Sequence, residues 1–254
     1  MNLIRKLLLA LTAVAALGTF VTVPARAMDD AARQEIEKIV RDYLLANPDI
    51  LLEMRDTLEA KRRAEQEEKQ RLTLAREKDA IYAAKDQIVI GAPDAALTIV
   101  EFFDYNCSFC QRALEDMNRL LDGGNGVRFI MKEFPVLGDD SVAAARISIA
   151  FNRLMPEKAP EFHRALLGAP GHKDGQMALD LAVKLGADAE KVKAEAAKDE
   201  TGDTIAESYR LGDGLGISGT PSYIVGNEIV FGAVGFDNLS TKIANLGTCG
   251  KTIC

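Results

Sequence analysis

Between residues 29 and 85 the apolar positions follow a helical period and show no strand alternation. Ile36, Ile39, Val40, Tyr43 and Leu44 fall at i, i+3, i+4, i+7 and i+8, one face of a helix with charges behind it. Asn47-Pro48 interrupts that face. Asparagine before proline is pushed out of the helical region, whereas proline fits the first turn of a new helix, one that would bury Ile50, Leu51, Met54 and Leu58. From Glu59 to Arg71 nearly every residue is charged or Gln, the pattern of a solvated helix carried by pairs such as Glu67 with Arg71. Positions 36, 40, 43, 47, 50 and 54 mimic a heptad, but Asn47 occupies one of them and the pattern stops after Leu58, so no long coiled coil is expected. Two short amphipathic helices and a polar rod make no adequate core alone. Their apolar faces are expected to be covered by the main domain or by another copy of the chain.

After Gln87 the pattern changes to strands alternating with helices. Residues 88–90 and 97–103 read as strands; from Cys107, helical spacing runs through Leu114, Met117, Leu120 and Leu121 to a Gly123-Gly124-Asn125-Gly126 stop; residues 127–131 read as the next strand. Strand, helix, strand at this length is a right-handed βαβ unit with parallel strands. From 139 to 215 only helical pattern is present: 142–154, a segment around Phe162 to Leu167, another from Met177 to Leu185, and one helix over roughly 188–211. Strands return at 222–225 and 229–231, joined at Gly226-Asn227 as a hairpin, and a last helix over about 237–246 carries Leu239, Ile243 and Leu246. The class is α/β: a helical arm, then β-β-α-β, a helical insert and β-β-α.

Composition narrows this further. A chain of 254 residues that is 48% hydrophobic, 27% charged and 6% aromatic belongs with soluble globular proteins, not disordered, collagenous or multi-span ones. Arg5 and Lys6, an apolar run from Leu7 to Val23, and Ala25-Arg26-Ala27 are the three parts of a secretory signal peptide over 1–27. An uncleaved anchor is the alternative, since the run approaches the shortest membrane span of about 17 residues. Cleavage removes three cations, Arg5, Lys6 and Arg26, and takes the formal charge from −7 to −10. An acidic exported chain is a poor nucleic-acid binder, and its one dense basic stretch, 61–71, is interleaved with Glu65, Glu67 and Glu68.

Export also changes how the four cysteines read. An even number in an oxidising compartment suggests disulfides, four allow three pairings, and the spacing favours Cys107 with Cys110 and Cys249 with Cys254. At the C-terminus a structural disulfide would tie down the tail; partner-reactive thiols and metal ligation are the alternatives. A CxxC that opens a helix after a buried strand is a thioredoxin-like redox motif. Cys107 would lie where unpaired backbone N–H groups and the macrodipole stabilise a thiolate, making it the attacking sulfur, with Cys110 one turn in as the resolving thiol. Such stabilisation favours the reduced form and makes the pair an oxidant. A zinc site would need two more ligands, with only His163, His172 and the distant Cys249 and Cys254 to hand, and a purely structural bridge would close too short a loop to matter. No metal is expected.

Glu101, six residues before Cys107 in the apolar run Ile99-Val100-Glu101-Phe102-Phe103, is costly to bury charged; a raised pKa would suit it to exchange protons with Cys110, unless it faces solvent. Lys132 is either its partner or a surface lysine. His163 and His172 read as surface residues of the insert.

The run Glu101-Phe102-Phe103-Asp104-Tyr105-Asn106-Cys107-Ser108-Phe109-Cys110 resembles the active-site segment of bacterial DsbA-family proteins, and Gly219-Thr220-Pro221 before a strand resembles their cis-proline loop. The likeness covers roughly 88–247, helical insert included. It implies a thioredoxin fold with a helical insertion at about 139–215 inside a catalytic domain 87–254, preceded by an arm over 28–86. It also implies that Cys107 is the nucleophile, Cys110 the resolving thiol, and Ser108 and Phe109 the dipeptide that tunes potential. Neither the proline nor the histidine of the family's strongest oxidant is present there, which argues for a less extreme oxidant. Thr220 and a cis Pro221 would face the CxxC and pair with an extended substrate peptide; Thr before the proline is similar to the disulfide isomerases. Glu101 occupies the position of the family's acid.

Residues 43–51 resemble the N-terminal segment of the ScsC (suppressor of copper sensitivity) and Com1-like branch, where that segment is implicated in oligomerisation. The resemblance as a whole implies a periplasmic thiol:disulfide oxidoreductase that forms or isomerises disulfides in unfolded or misfolded exported proteins and is reset by a membrane redox partner. It would need no cofactor beyond its own redox disulfide and would be a homo-oligomer, a trimer before a dimer. The alternative function is copper(I) handling, since two thiols at a cleft suit a soft ion.

Overall fold

The computed structural model describes residues 29–83, 85–124 and 126–254; the expected signal peptide lies outside the described residues. Helix α1, Asp30–Ala46, starts at the Asp29 cap, whose carboxylate accepts from the Ala32 N–H at 2.7 Å, and ends before Asn47-Pro48. None of its residues is buried, and Ile36, Ile39, Val40, Tyr43 and Leu44 form an exposed apolar face. Helix α2, Ile50–Arg76, is followed by the short α3, Lys78–Tyr82. The chain forms two compact units, the first ending at Leu58 and the second beginning at Glu59, ahead of the expected junction at 86–87. Thr73 and Ile81 explain the difference. Both are buried, and Ile81 packs with Val100, Phe102, Leu211, Leu215 and Ile217, so the stretch before the first strand belongs to the second unit.

Among the described residues the sheet has five strands: β1 Ile88–Gly91, β2 Leu97–Phe103, β3 Val127–Glu133, β4 Ser222–Val225 and β5 Glu228–Phe231. They lie in the order β1-β3-β2-β4-β5, with β2 and β3 parallel across the crossover helix α4, Ser108–Asp122, and the other pairs antiparallel. Because strand side chains alternate, Ile99 and Phe103 enter one core with Phe129, Met131, Met117 and Leu120, while Val100 and Phe102 enter the opposite one with Ile130 and Ile224. Burial on both faces is why β2 reads as an almost continuous apolar run.

The insert is built from α5 Asp139–Leu154, a 3-10 turn Pro156–Lys158, α6 Ala159–Gly168, α7 Gly175–Lys184, α8 Ala189–Ala196 and α9 Asp199–Leu215. The single helix expected over 188–211 is therefore two. Side-chain donors hold the break open: Arg146 gives its guanidinium N–H groups to the distant carbonyls of Ala196 (2.8 Å) and Lys198 (2.9 Å), and the nearby Thr201 hydroxyl donates to Glu195 O (2.8 Å). The last helix, α10, Phe236–Cys249, ends at Gly250 in the left-handed region (φ 73°), and Cys249 is disulfide-bonded to Cys254. No described helix is long and apolar enough to cross a membrane.

Lys132 is neither Glu101's partner nor a surface residue. It lies opposite Phe102 in the register, on the other face of the sheet from Glu101, fully buried, and its ammonium donates to Ala80 O at 2.8 Å and approaches Glu207 at 3.8 Å. Burial lowers its pKa.

Candidate active site

Strand β2 delivers Glu101 to Phe103 into the core, and a polar triplet, Asp104-Tyr105-Asn106, carries the chain to Cys107 at the N-cap of α4. The Cys107 N–H donates to Asp104 O at 3.0 Å, and the Cys107 carbonyl accepts from Gln111 N at 3.1 Å, so the cap closes the first turn. Cys107 retains 6% exposure, Cys110 none, and both are free thiols. The Thr220-Pro221 peptide bond is cis, and the Cys107 thiol donates to the Thr220 carbonyl at 3.1 Å. Glu101 is 2% exposed, placed between Met131 and Tyr223 in the register. It faces the core and not solvent. Strand β2, the start of α4 and the loop before β4 thus bring Glu101, Cys107, Cys110, Thr220 and Pro221 together.

The electrostatics separate the three acids. Cys107 is lowered to about 5, first by the hydrogen bond from the Cys110 thiol; burial opposes this, and the Thr220 side chain and the backbone N–H groups of Cys110 and Phe109 add to the lowering. Local donors, the backbone N–H groups at the start of α4 among them, favour the thiolate. Burial, then the hydrogen bond with Cys107 and the nearness of Glu101, pushes Cys110 far up. Glu101 is pushed up to about 8 by burial and by the charge of Cys107. At neutral pH the set is a thiolate, a thiol and a neutral carboxyl.

Ser108 is exposed, and Phe109 is 53% exposed with the Arg112 guanidinium 4.2 Å above its ring. His172 is exposed, as expected, and pairs with Asp140 at 2.8 Å. His163 is not a surface residue. It is fully buried, edge-on to Phe103 with ring centroids 4.7 Å apart and 3.4 Å from the Tyr105 hydroxyl through Nδ1, and burial lowers its pKa to about 3. The disulfide of Cys249 and Cys254 is remote: Gly250 lines a groove with Leu97, at the opposite end of β2 from Cys107.

The residues that sequence reasoning missed are those that anchor the CxxC loop. Asp104 accepts from Asn106 N (2.8 Å) and the Ser141 hydroxyl (2.8 Å) through one oxygen and from Leu137 N (3.0 Å) through the other. Asn106 bonds both backbone groups of Lys173, at 2.7 and 2.8 Å, and the Tyr105 hydroxyl meets Ser148 at 2.8 Å. Three polar residues between an apolar strand and a CxxC were the available signal. Asp104→Ala strands three donors, two of them backbone N–H groups, and is expected to destabilise the fold by on the order of 3 kcal/mol. Urea unfolding measures this, and an unchanged midpoint would show that the loop does not depend on the carboxylate.

Comparison with known proteins agrees with this arrangement. A model of the DSBA-like thioredoxin domain matches residues 98–244, more than half of the chain, and a model of the copper resistance protein ScsC N-terminal domain matches 33–65. A linker-deletion mutant of Proteus mirabilis ScsC is 30% identical, with 85% of this chain and 95% of that one covered at a TM-score of 0.62. A thioredoxin-like oxidoreductase from Silicibacter pomeroyi is 34% identical over 66% of this chain and 96% of that one, TM-score 0.62. The thiol-disulfide exchange protein alpha-DsbA2 from Wolbachia pipientis is 27% identical over 71% and 97%, TM-score 0.64. Among curated proteins, the Na(+)/H(+) antiporter NhaA 1 of Salinispora arenicola is 24% identical over 157 residues, and the chain spans 24% of that protein's length. With its CxxC at a helix N-cap opposite a cis-proline loop, and a helical insert dividing the fold, the chain belongs to the DsbA-like thioredoxin-domain family, with a ScsC-type N-terminal segment ahead of that domain.

Proposed function

We propose that the protein is a periplasmic thiol:disulfide oxidoreductase that forms and isomerises disulfides in exported, incompletely folded proteins. One observation carries the reading: the Cys107 sulfur is held against Thr220, its pKa lowered to about 5, while Cys110 beside it is kept protonated. In disulfide formation a substrate thiolate attacks Cys107 of the oxidised pair, the Cys107–Cys110 bond breaks, and Cys110 leaves with a proton from Glu101. A second substrate thiolate then attacks the mixed disulfide and releases Cys107 as a thiolate. The substrate loses two electrons and the CxxC gains them, to be reoxidised by a membrane partner. In isomerisation the Cys107 thiolate attacks a substrate disulfide and is released when another substrate thiol displaces it. Thr220 offers its backbone to an extended peptide beside the sulfur. Oxidation of a dithiol peptide and reactivation of scrambled ribonuclease by the full chain test this, and inactivity in both would end the reading.

Isomerase action benefits from cooperating sites, and the exposed face of Ile36, Ile39, Val40, Tyr43 and Leu44 suits self-association, with a trimer the favoured state. Ile36→Glu with Val40→Glu and Leu44→Glu is expected to give a monomer with less isomerase and more oxidase activity. Sedimentation velocity decides it; a parent protein that is already monomeric would sink this part.

A second reading, copper(I) handling, is favoured by the same pair, since a thiolate hydrogen-bonded to a neighbouring thiol is a soft two-sulfur donor set. Among the described residues no group of three or more His, Cys, Asp and Glu is placed to hold a metal, so Cys107 and Cys110 would hold the ion alone. Titration of the reduced protein with Cu(I) against a micromolar competitor separates the readings, with a Cys107/Cys110 double variant as control.

A further inference from the structure

Residues 66–97 lie between the two family matches, which end at 65 and begin at 98. Within that gap the second half of α2 lies against the C-terminus of α9. A helix leaves its last carbonyls without intrahelical partners. Here three consecutive ones take side-chain donors from α2: Lys69 Nζ to Asp213 O at 2.9 Å, Thr73 Oγ1 to Gly214 O at 3.1 Å, and Gln70 Nε2 to Leu215 O at 2.9 Å. Thr73 is buried.

The composition of α9 supplies a second, independent observation. Glycine is disfavoured inside helices, yet α9 ends Gly212-Asp213-Gly214-Leu215 with Gly216 as its cap. A Cβ on Gly214 would stand 2.8 Å from Thr73 Cγ2, one on Gly212 would stand 2.7 Å from the Phe134 ring, and one on Gly216, at φ 69°, would run into the Gln66 amide. Two of these glycines answer to α2. From Gly216 only Ile217-Ser218-Gly219 separate the helix end from Thr220, and Ile217 is buried against Ile81 of α3 and against Leu211 and Leu215.

We propose that residues 66–73 of α2 are a positioning brace for the cis-proline loop: by taking the last carbonyls of α9 they fix where the chain leaves that helix, and so where Thr220 meets the Cys107 sulfur. Gln70 and Thr73 are positioning residues that touch neither sulfur nor substrate. The proposal rests on the reading of Cys107 as the nucleophile.

The test uses the full chain, with Gln70→Leu/Thr73→Val to remove two donors, Gly214→Ala to wedge α9 against Thr73 while favouring the helix, and Thr73→Ser to keep the donor. Two quantities are read: the equilibrium constant of the CxxC pair with glutathione, and the pH titration of Cys107 by its ultraviolet thiolate absorbance. Displacing the Thr220 side chain, whose hydrogen bond favours the Cys107 thiolate, should move the glutathione equilibrium toward the oxidised pair by about 3- to 10-fold and raise the titration midpoint by roughly 0.5 to 1 unit, with Thr73→Ser at the parental values. A lower melting temperature with both redox readouts unchanged in Gln70→Leu/Thr73→Val and in Gly214→Ala would overturn the brace and leave the function reading intact. A parent protein that does not exchange with glutathione would overturn that reading, and the brace with it.

Discussion

Replacing Cys107 by Ser is expected to remove thiol–disulfide exchange, by on the order of a thousandfold or more, while Cys110→Ser retains the first step and accumulates a mixed disulfide through Cys107. The asymmetry follows from the site. Cys107 keeps 6% exposure and is lowered to about 5, whereas Cys110 is fully buried and pushed upward, so one sulfur is ionised at neutral pH and the other is not. Alkylation of the reduced protein should therefore modify Cys107 alone, at a rate that is flat above about pH 6 and falls about tenfold per unit below pH 5. The same ionisation sets the sign of a stability difference. Between about pH 5 and the unfolded thiol value near 8.5 the reduced native protein binds fewer protons than its unfolded state, so its stability rises with pH across that window, is complete above it, and is lost as pH falls through 5. The oxidised protein has no such titration. The reduced form should gain on the oxidised form between pH 4 and pH 8 in parallel urea denaturations, which is the thermodynamic content of calling the pair an oxidant. Parallel curves would contradict the lowered pKa, and full activity in Cys107→Ser would contradict the mechanism.

How much of this the sequence carried depends on the range of each interaction. β2 and the CxxC were readable because burial on both faces and the start of α4 leave their pattern within about ten consecutive residues. Thr220 and Pro221 were readable through family resemblance, although the Cys107 contact spans 113 positions. His163 and Lys132 were misplaced by residue type alone: a histidine in a helical insert and a lysine ending a strand look like surface residues until Tyr105 and Phe103, or Ala80 O and Glu207, are known to lie beside them. The break between α8 and α9 is imposed by Arg146, 50 positions from the carbonyl it takes at Ala196, and no local period reports it. Residues 59–71 read as a solvated rod because Lys69 and Gln70 are polar, yet their polarity serves carbonyls 144 and 145 positions away. Polar side chains with distant backbone partners are the part of this fold that hydrophobic patterning could not express.

Glu101→Gln is expected to slow the step in which Cys110 gains or loses its proton by about a hundredfold, while leaving alkylation of Cys107 at neutral pH nearly unchanged. The carboxyl is 2% exposed, raised to about 8 by burial and by the charge of Cys107, and so mostly protonated at pH 7. Glutamine keeps its shape and its neutral charge but cannot pass a proton. The resolving step, followed as decay of the mixed disulfide by stopped flow, should lose its rate and with it the pH inflection set by Glu101, which lies below 8 there because a mixed disulfide carries no charge on Cys107. Stability should move the other way. A carboxylate raised from 4.5 makes the native state bind more protons than the unfolded state, so the parent loses stability as pH rises from about 4.5 toward 8, on the order of 1.4 kcal/mol for each unit of the raised pKa. Glu101→Gln removes that loss, and the variant should be more stable than the parent at pH 8 and no more stable at pH 4. A slower enzyme that is also more stable at high pH identifies Glu101 as a buried acid kept for proton transfer. Equal loss of stability at both pH values, with the inflection of the resolving step retained, would instead make it a packing residue, and Cys110 would have to exchange its proton with water.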